Sequence, residues 1–417
     1  MVKAMGSFSA LFAATFIFFT GNGLLNTLLS TRMAVEGLST AVSGMVLSCY
    51  FSGLLTGSFL CHRLIQRVGH IRAFAVFASV TTAATLLHGL YLSAWFWGLL
   101  RFSSGVTCFG LFMVIESWLN ECTESRFRGQ VFSIYMTLTY LGIGIGQQLL
   151  NAGDIKGQEL FIITGIIFAL CLVPVSATEG VHPLLPTRKS FSFLAIVRKA
   201  PLGMLGSMVA GLTNSAFYAM VPQVCTEIGL PLRQLSWIMS TTVFTGLAAQ
   251  WGIGSLSDRF DRTVVLTGFA TVIAIVSAFM FFHRESAFWG LAVQMGLFGA
   301  LAFAVYPVSV ARAHDVFGGQ DVIAVSAGVL FAYSIGASVS PMLASMVMTL
   351  LGTPYGLFAF WFAVNGGFAV IAFYLRKREK VEIVAVEDQV AFVPMKSTSP
   401  VAMTLDPRTD PPIDNRF

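Results

Sequence analysis

Long apolar segments alternate with short polar ones along most of the chain. A bilayer core about 30 Å thick needs roughly 20 apolar residues in a helix. Twelve segments of about that length or longer can be counted, at 8–30, 40–61, 73–93, 95–119, 130–151, 159–177, 201–225, 234–256, 264–282, 287–311, 322–350 and 355–375. The pattern predicts an all-α integral membrane protein with 12 transmembrane helices.

The basic residues between these segments predict the orientation. With the N-terminus in the cytoplasm, 20 of the 25 Lys and Arg residues lie on the inner side and four lie on the outer side. Only Arg101 then falls within a span. Because positive charge collects in cytoplasmic loops, we expect both termini to be cytoplasmic.

The two halves of the chain repeat at a constant offset of 192. The offset carries Asn22 onto Asn214 and Arg67 onto Arg259. A constant offset across several segments indicates two similar six-helix bundles, as in transporters built from parallel repeats. We therefore predict a first bundle at 1–177, a cytoplasmic connector at 178–199 and a second bundle at 200–380. The polar and Pro-rich tail at 381–417 is expected to be a largely disordered cytoplasmic segment.

Composition excludes several classes of function. The chain is 56% hydrophobic and 11% charged, with a mean hydropathy of +0.77, so much of its surface must face lipid. Its net charge of +5 comes from loops on one side and indicates no nucleic-acid partner. The six cysteines show no paired spacing, so neither a disulfide nor a metal site is expected. The first apolar segment lacks a small-residue cleavage site, and no cleavable signal is expected.

Several motifs resemble those of one transporter family. A motif of glycine, acidic and basic residues follows the eighth span. The equivalent loop of the first half has a less complete copy, in which Gln66 replaces the acidic residue. Arg101 begins an Arg-x-x-x-Gly motif in the fourth span. The motif residues are Gly254, Asp258, Arg259 and Arg262 in the second half, and Arg67, Gly69 and Arg72 in the first. Over about residues 5–380 the chain resembles the major facilitator superfamily, and the run 114–120 further resembles its YcaD-like branch.

The loop motifs suggest a gate at the cytoplasmic side. Basic side chains at a helix end can bond neighbouring carbonyls and acids, and such contacts bias a two-state equilibrium when they form in only one state. The alternative is that these charges only enforce topology. Since Gln66 lacks the charge of Asp258, the two halves are expected to lock differently. The gating candidates are Arg67, Arg72, Glu116, Asp258, Arg259 and Arg262.

Polar residues within the spans are the candidates for a solute site. An Arg inside a span normally faces a partner or a water-filled cavity, and the resemblance implies that Arg101 lies near a central cavity. The alternative for Arg101 is snorkelling to the outer interface. Paired amides in the first and seventh spans suggest a grip on a polar solute, with interhelical hydrogen bonding as the alternative. The binding candidates are Asn22, Asn26, Arg101, Asn214, Tyr218 and Gln294.

These observations predict a secondary transporter of the bacterial inner membrane that works by alternating access. Its expected partners are a small-molecule substrate, the lipid bilayer and a coupling proton or cation, and a monomer without a cofactor is expected. Uptake of a vitamin or aromatic metabolite such as riboflavin is one interpretation. Drug or sugar efflux by proton antiport, or a receptor without transport, are the alternatives. An enzyme is not predicted, because no cluster of His, Asp, Ser and Cys recurs at a membrane face.

Overall fold

The described part of the computed structural model is helical, with no strand in it. It covers residues 2–124, 127–177, 193–284, 287–318, 322–377, 384–385, 389–390 and 392–399. A 3-10 turn, Leu149–Ala152, follows the fifth helix. The helices are α1 Val2–Val35, α2 Thr40–Val68, α3 His70–Leu90, α4 Ala94–Cys122, α5 Arg128–Gln148, α6 Glu159–Leu170, α7 Leu172–Ser176, α8 Phe193–Lys199, α9 Pro201–Glu227, α10 Leu232–Arg259, α11 Arg262–His283, α12 Phe288–Phe317, α13 Val322–Leu351 and α14 Gly356–Lys377.

Ten helical segments in the described residues are long and apolar enough to cross a membrane, with α6 and α7 together forming one of them. This confirms the predicted fold class. Ten of the twelve predicted transmembrane helices meet these criteria. The other two predicted spans are α5 and α10, which have sufficient length but less apolar sequences. These two helices pack against each other across the molecule. Their polar residues, such as Gln148 and Gln250, make contacts there instead of facing lipid.

The backbone repeats at the offset expected from the sequence. Helix α2 begins at Thr40 and α10 begins at Leu232, 192 residues later. The turns before them contain Gly37 and Gly229, with φ of +76° and +78°. Only glycine adopts this conformation without strain, so the same turn is built twice. The predicted domain boundaries stay a prediction, and residues 178–192 of the connector lie outside the described residues.

Close packing within the first bundle depends on small residues. A Cβ added to Gly53 of α2 would overlap the carbonyl oxygen of Phe102, and one added to Gly105 of α4 would overlap that of Tyr50. Neither position leaves room for a side chain. The two helix backbones therefore touch, as small residues commonly allow between membrane helices.

The two bundles meet at the end where α1 and α9 finish, which the charge pattern assigns to the outer side and which we call the outer end. Ser30 donates a hydrogen bond to the Ala219 carbonyl at 2.5 Å, and Gln148 donates to Ser240 at 2.7 Å. The Met342 amide donates to the Ser48 hydroxyl at 3.0 Å. At the opposite, inner end, residues 389–390 and 392–399 lie between the bundles.

Candidate functional site

A central cavity lies between the two bundles, about midway along the helices. Its walls come from α1, α2, α4 and α5 of the first bundle and from α9 and α13 of the second, and residues 396–398 close its inner side. The space left in it is about 80 Å³. Side chains from both halves therefore face one enclosed volume.

One wall of the cavity carries a chain of polar contacts. Arg101 Nη2 donates to Asn26 Oδ1 at 2.6 Å, and Asn26 Nδ2 donates to Asn22 Oδ1 at 2.6 Å. Asn22 Nδ2 in turn donates to the Tyr50 hydroxyl at 3.0 Å. Because Asn22 and Asn26 are four residues apart, they share one face of α1. The structure thus brings together three of the predicted binding residues and adds Tyr50.

Arg101 is buried in this wall, and no described residue gives it an acidic partner. Its side chain is 1% exposed, and its Cζ lies 4.1 Å from the centre of the Tyr50 ring. Within the described part of the chain neither Nε nor Nη1 has a hydrogen-bond acceptor, and none of the residues lining the cavity is acidic. A guanidinium normally needs such partners when it is buried. The side chain is directed into the bundle and does not reach the outer surface.

The second bundle contributes aromatic residues. Tyr218 and Tyr333 line the cavity, and both also line a smaller adjoining space together with Asn214. The Asn214 side-chain oxygen accepts no hydrogen bond from any residue that the structure describes. Asn22 and Asn214 therefore both reach the cavity region, from opposite bundles. Gln294 lies on α12 and is not among the residues that line it.

Charged residues gather at the inner end of the second bundle. Arg262 is buried and lies 2.5 Å from Asp315 through Nη1 and 2.8 Å from Asp258 through Nη2. Arg376 pairs with Asp261 at 3.1 Å, and Arg259 is exposed. Asp315 is not among the predicted gating residues, because nothing in its neighbourhood on α12 indicates that it faces the first residue of α11.

The inner end of the first bundle contains different groups at the equivalent positions. Arg67 and Arg72 are exposed, and they form no ion pair with another described residue. His70, at the position equivalent to Arg262, is buried and hydrogen-bonded to Ser117 at 2.9 Å. Glu116 is fully buried and accepts a hydrogen bond from the Tyr135 hydroxyl at 2.7 Å. The gating role of these residues stays a prediction.

No cluster of three or more His, Cys, Asp or Glu that could hold a metal occurs in the described residues. The cavity instead offers amide, hydroxyl and guanidinium groups together with aromatic rings. Such a mixture suits a small organic molecule with both polar and flat apolar parts.

Comparisons with known proteins agree with this architecture. A family model described as Major Facilitator Superfamily matches residues 11–202 and 203–411. An uncharacterised MFS-type transporter, YcaD, of Escherichia fergusonii is 31% identical over 330 residues, which cover 78% of this chain and 84% of that protein. The YcaD protein of Salmonella heidelberg is 30% identical over the same length.

Two solved structures share the fold. The nucleoside transporter NupG superposes with a TM-score of 0.72 at 14% identity, covering 90% of this chain and 100% of NupG. A bacterial homologue of the human lysosomal transporter Spinster, in an inward-facing and unoccupied conformation, gives 0.69 at 15% identity, covering 93% and 98%. Together with the family match in both halves, these findings show that the chain belongs to the Major Facilitator Superfamily of membrane transporters.

Proposed function

We propose that this protein is a secondary transporter of the bacterial inner membrane that moves a small organic solute by alternating access, with both termini in the cytoplasm. The observation that carries the proposal is Arg101, a buried cation in which two N–H-bearing atoms have no partner among the described residues, beside a cavity shared by both bundles. Burying such a group is costly. A solute that supplies hydrogen-bond acceptors to Nε and Nη1 would offset that cost, since no described residue supplies them.

The lining supports a solute with acceptor oxygens and a flat ring. Arg101 can donate to a carbonyl or carboxylate oxygen. Phe19, Tyr140 and Tyr218 offer ring faces on which a planar group can stack. Uptake of a vitamin or an aromatic metabolite such as riboflavin agrees with this combination. A nucleoside has a flat heterocycle as well, and NupG, which shares the fold, is a nucleoside transporter, so nucleosides belong in the same screen.

Drug or sugar efflux by proton antiport is the second candidate. An antiporter needs a group that gains and loses a proton during the cycle. Glu116 is a buried carboxylate in α4 whose contacts include a tyrosine hydroxyl, and it is the residue that we assign to this role if the solute leaves the cell. Flux driven by an imposed pH gradient, and lost in Glu116→Gln, would support antiport over uptake.

The transport proposal can be tested with purified protein in liposomes. Vitamins, nucleosides, sugars, amino acids and drugs are first screened by thermal shift, because a ligand of the folded state stabilises it. Flux of each stabilising solute is then measured. We expect Arg101→Ala to lower flux by about 10- to 100-fold, since a hydrogen bond to a charged group contributes about 1.5–3 kcal/mol.

Val293 provides a matched control, because it occupies the position equivalent to Arg101 in the second half and is 71% exposed. Val293→Ala should leave flux unchanged. Equal flux in wild type and Arg101→Ala would contradict the assigned site. Binding without flux for every stabilising solute would favour a receptor over a transporter.

A further inference from the structure

The described residues 389–390 and 392–399, which we call the tail segment, enter the inner end of the molecule along the second bundle. The Val390 amide donates to Asp315 Oδ1 at 2.9 Å, and Arg262 donates to the Val390 carbonyl. The Phe392 amide donates to Asp258 Oδ1 at 3.0 Å. The same two carboxylates that pair with Arg262 therefore also hold the tail backbone.

Apolar side chains anchor the tail segment further in. The Phe392 ring packs on Gly254, where an added Cβ would lie only 2.7 Å from the ring. Val393 is 8% exposed and Met395 is fully buried. The glycine of the loop motif thus leaves the space that Phe392 fills. Sequence composition predicted disorder for this region, but the short apolar run at 390–395 gives these residues a surface to bury.

Lys396 reaches the central cavity. Its amino nitrogen lies 5.2 Å from the ring centre of Phe19, 5.6 Å from that of Tyr218 and 5.8 Å from that of Tyr140. Distances within about 6 Å of a ring face are those of cation–π contacts. We call these three rings the amine cage. Two of the rings come from the first bundle and one from the second, so Lys396 touches both.

The residues after Lys396 contact the first bundle and Tyr333. Ser397 lines the cavity beside Tyr333 of α13, and Thr398 is buried near Tyr135 of α5. Ser399 donates to a carboxylate oxygen of Glu116. The tail segment therefore bridges the two bundles at the inner end and fills the route from the cavity to that side.

We propose that the tail segment is an internal competitor of the transported solute: it blocks the inner route and places an amino group in the amine cage, where the amino group of an alkylamine-bearing solute would bind. The assignment of an alkylamine-bearing solute rests on the transport proposed above, because only a transported molecule has to pass through the amine cage. The blocking contacts rest on the tail geometry alone.

The protonation state of Lys396 determines the pH at which a competing amine should be tested. Burial lowers the pKa of its ammonium to about 7, whereas the negative faces of the three rings favour the charged form. Arg101 lies in the cavity wall and Glu116 contacts Ser399 further along the tail, while none of the described residues that line the cavity is acidic. At pH 6 the Lys396 side chain is an ammonium both inside and outside the cage, so a charged alkylamine is a fair competitor.

Access to the cavity tests the block in the full chain. A cysteine is placed at Ser334, which lines the cavity, and the partly exposed Cys49 and Cys122 are changed to Ser. The chain is reconstituted in nanodiscs and labelled with a water-soluble maleimide. Met395→Asp, which would bury a carboxylate if the tail stayed in place, should raise the labelling rate at least tenfold. Lys396→Ala should raise it several-fold.

The exposed Lys377 supplies a control, since it carries the same charge near the end of α14. Lys377→Ala should label like wild type. Thermal melting confirms that each variant is folded. Unchanged labelling in both Met395→Asp and Lys396→Ala would overturn the block.

Competition tests the amine cage. The probe is n-butylammonium, which matches the end of the lysine side chain, and butyrate is its control. At pH 6, butylammonium should stabilise Lys396→Ala against thermal unfolding at lower concentration than wild type, because the cage is then vacant. Equal potency in both chains, or greater stabilisation by butyrate, would overturn the cage assignment.

These outcomes are distinguishable from failure of the transport proposal. Labelling and thermal stabilisation need no flux, so both can succeed in a chain that transports nothing. Conversely, the tail variants could label like wild type while flux depends on Arg101. That result would contradict the internal competitor and would still support transport.

Discussion

The two bundles share their backbone plan but differ in the side chains that face the cavity. Asn22 and Asn214 occupy equivalent positions and are identical. Four residues later the halves diverge, because Asn26 contacts Arg101 whereas its equivalent, Tyr218, faces Lys396. Equivalent positions of α1 and α9 therefore face two different cations. One is fixed in a span and the other is delivered by the tail.

The inner ends differ in the same way. At equivalent positions the first bundle has His70, hydrogen-bonded to Ser117, and the second has Arg262, paired with Asp258 and Asp315. Among the described residues, the second arrangement alone provides carboxylates that also accept tail amides. The comparison indicates that the motif has become a docking site in one half and remains a helix junction in the other.

Arg262→Ala should give the largest effect. The substitution leaves the Asp315 carboxylate buried without the guanidinium that it pairs with. Removing one partner of a buried ion pair costs about 3–5 kcal/mol. We expect a large fall in the thermal melting temperature of the purified protein. His70→Ala is the matched change and should cost less, about 1–3 kcal/mol, because it leaves buried groups such as the Ser117 hydroxyl without a partner but no buried unpaired charge.

Asp315→Asn, combined with Arg262→Ala, should recover part of the loss, because the uncompensated charge is then removed. Arg262→Ala and His70→Ala could instead lower the melting temperature equally. That result would contradict the proposed difference between the two inner ends.

Tyr218→Leu should have an intermediate effect, on access to the cavity. Loss of one ring of the amine cage removes about 0.5–1 kcal/mol, so labelling of a cysteine at Ser334 should rise about two- to fivefold. The equivalent change, Asn26→Leu, should hardly alter labelling, since Asn26 contacts Arg101 and not the tail. Similar increases in both variants would mean that the equivalent positions have not diverged.

The smallest effect is expected at the repeated turn. Gly37→Ala and Gly229→Ala each force an alanine to a φ near +77°, at about 1 kcal/mol, and nothing lies within 4 Å of an added Cβ at either site. Thermal melting should show equal losses. Unequal losses would mean that the two turns differ in strain despite their matching angles.

Much of this architecture could be predicted from the sequence because it depends on periodic or repeated signals. Span length follows from the bilayer, and the offset of 192 recurs in helix starts and turns. The contact of Asn22 with Asn26 follows from helical spacing, and Arg101 stands out as the charge within a span. These signals are local, or repeat along the chain.

Contacts between distant segments carried no such signal. Tyr50 is one of nine tyrosines, and only the approach of α2 to α1 makes it the acceptor for Asn22. Gln294 resembles the other polar residues of the spans in sequence, but it is not among the described residues that line the cavity. The tail segment resembles a disordered region in composition, and its docking depends on groups far away in the sequence, such as Asp258, Asp315 and the space that Gly254 leaves for Phe392.

The covalent link between the tail and α14 has a kinetic and thermodynamic consequence. Gln389 follows Lys377 by only 12 residues, and a tether of that order keeps a segment at an effective concentration on the order of millimolar at its site. A free solute must compete with that fixed local concentration whatever the cell contains. The length of the tether would then set the solute level at which the protein begins to turn over, so inserting residues between α14 and Gln389 should tune the threshold without touching the cavity.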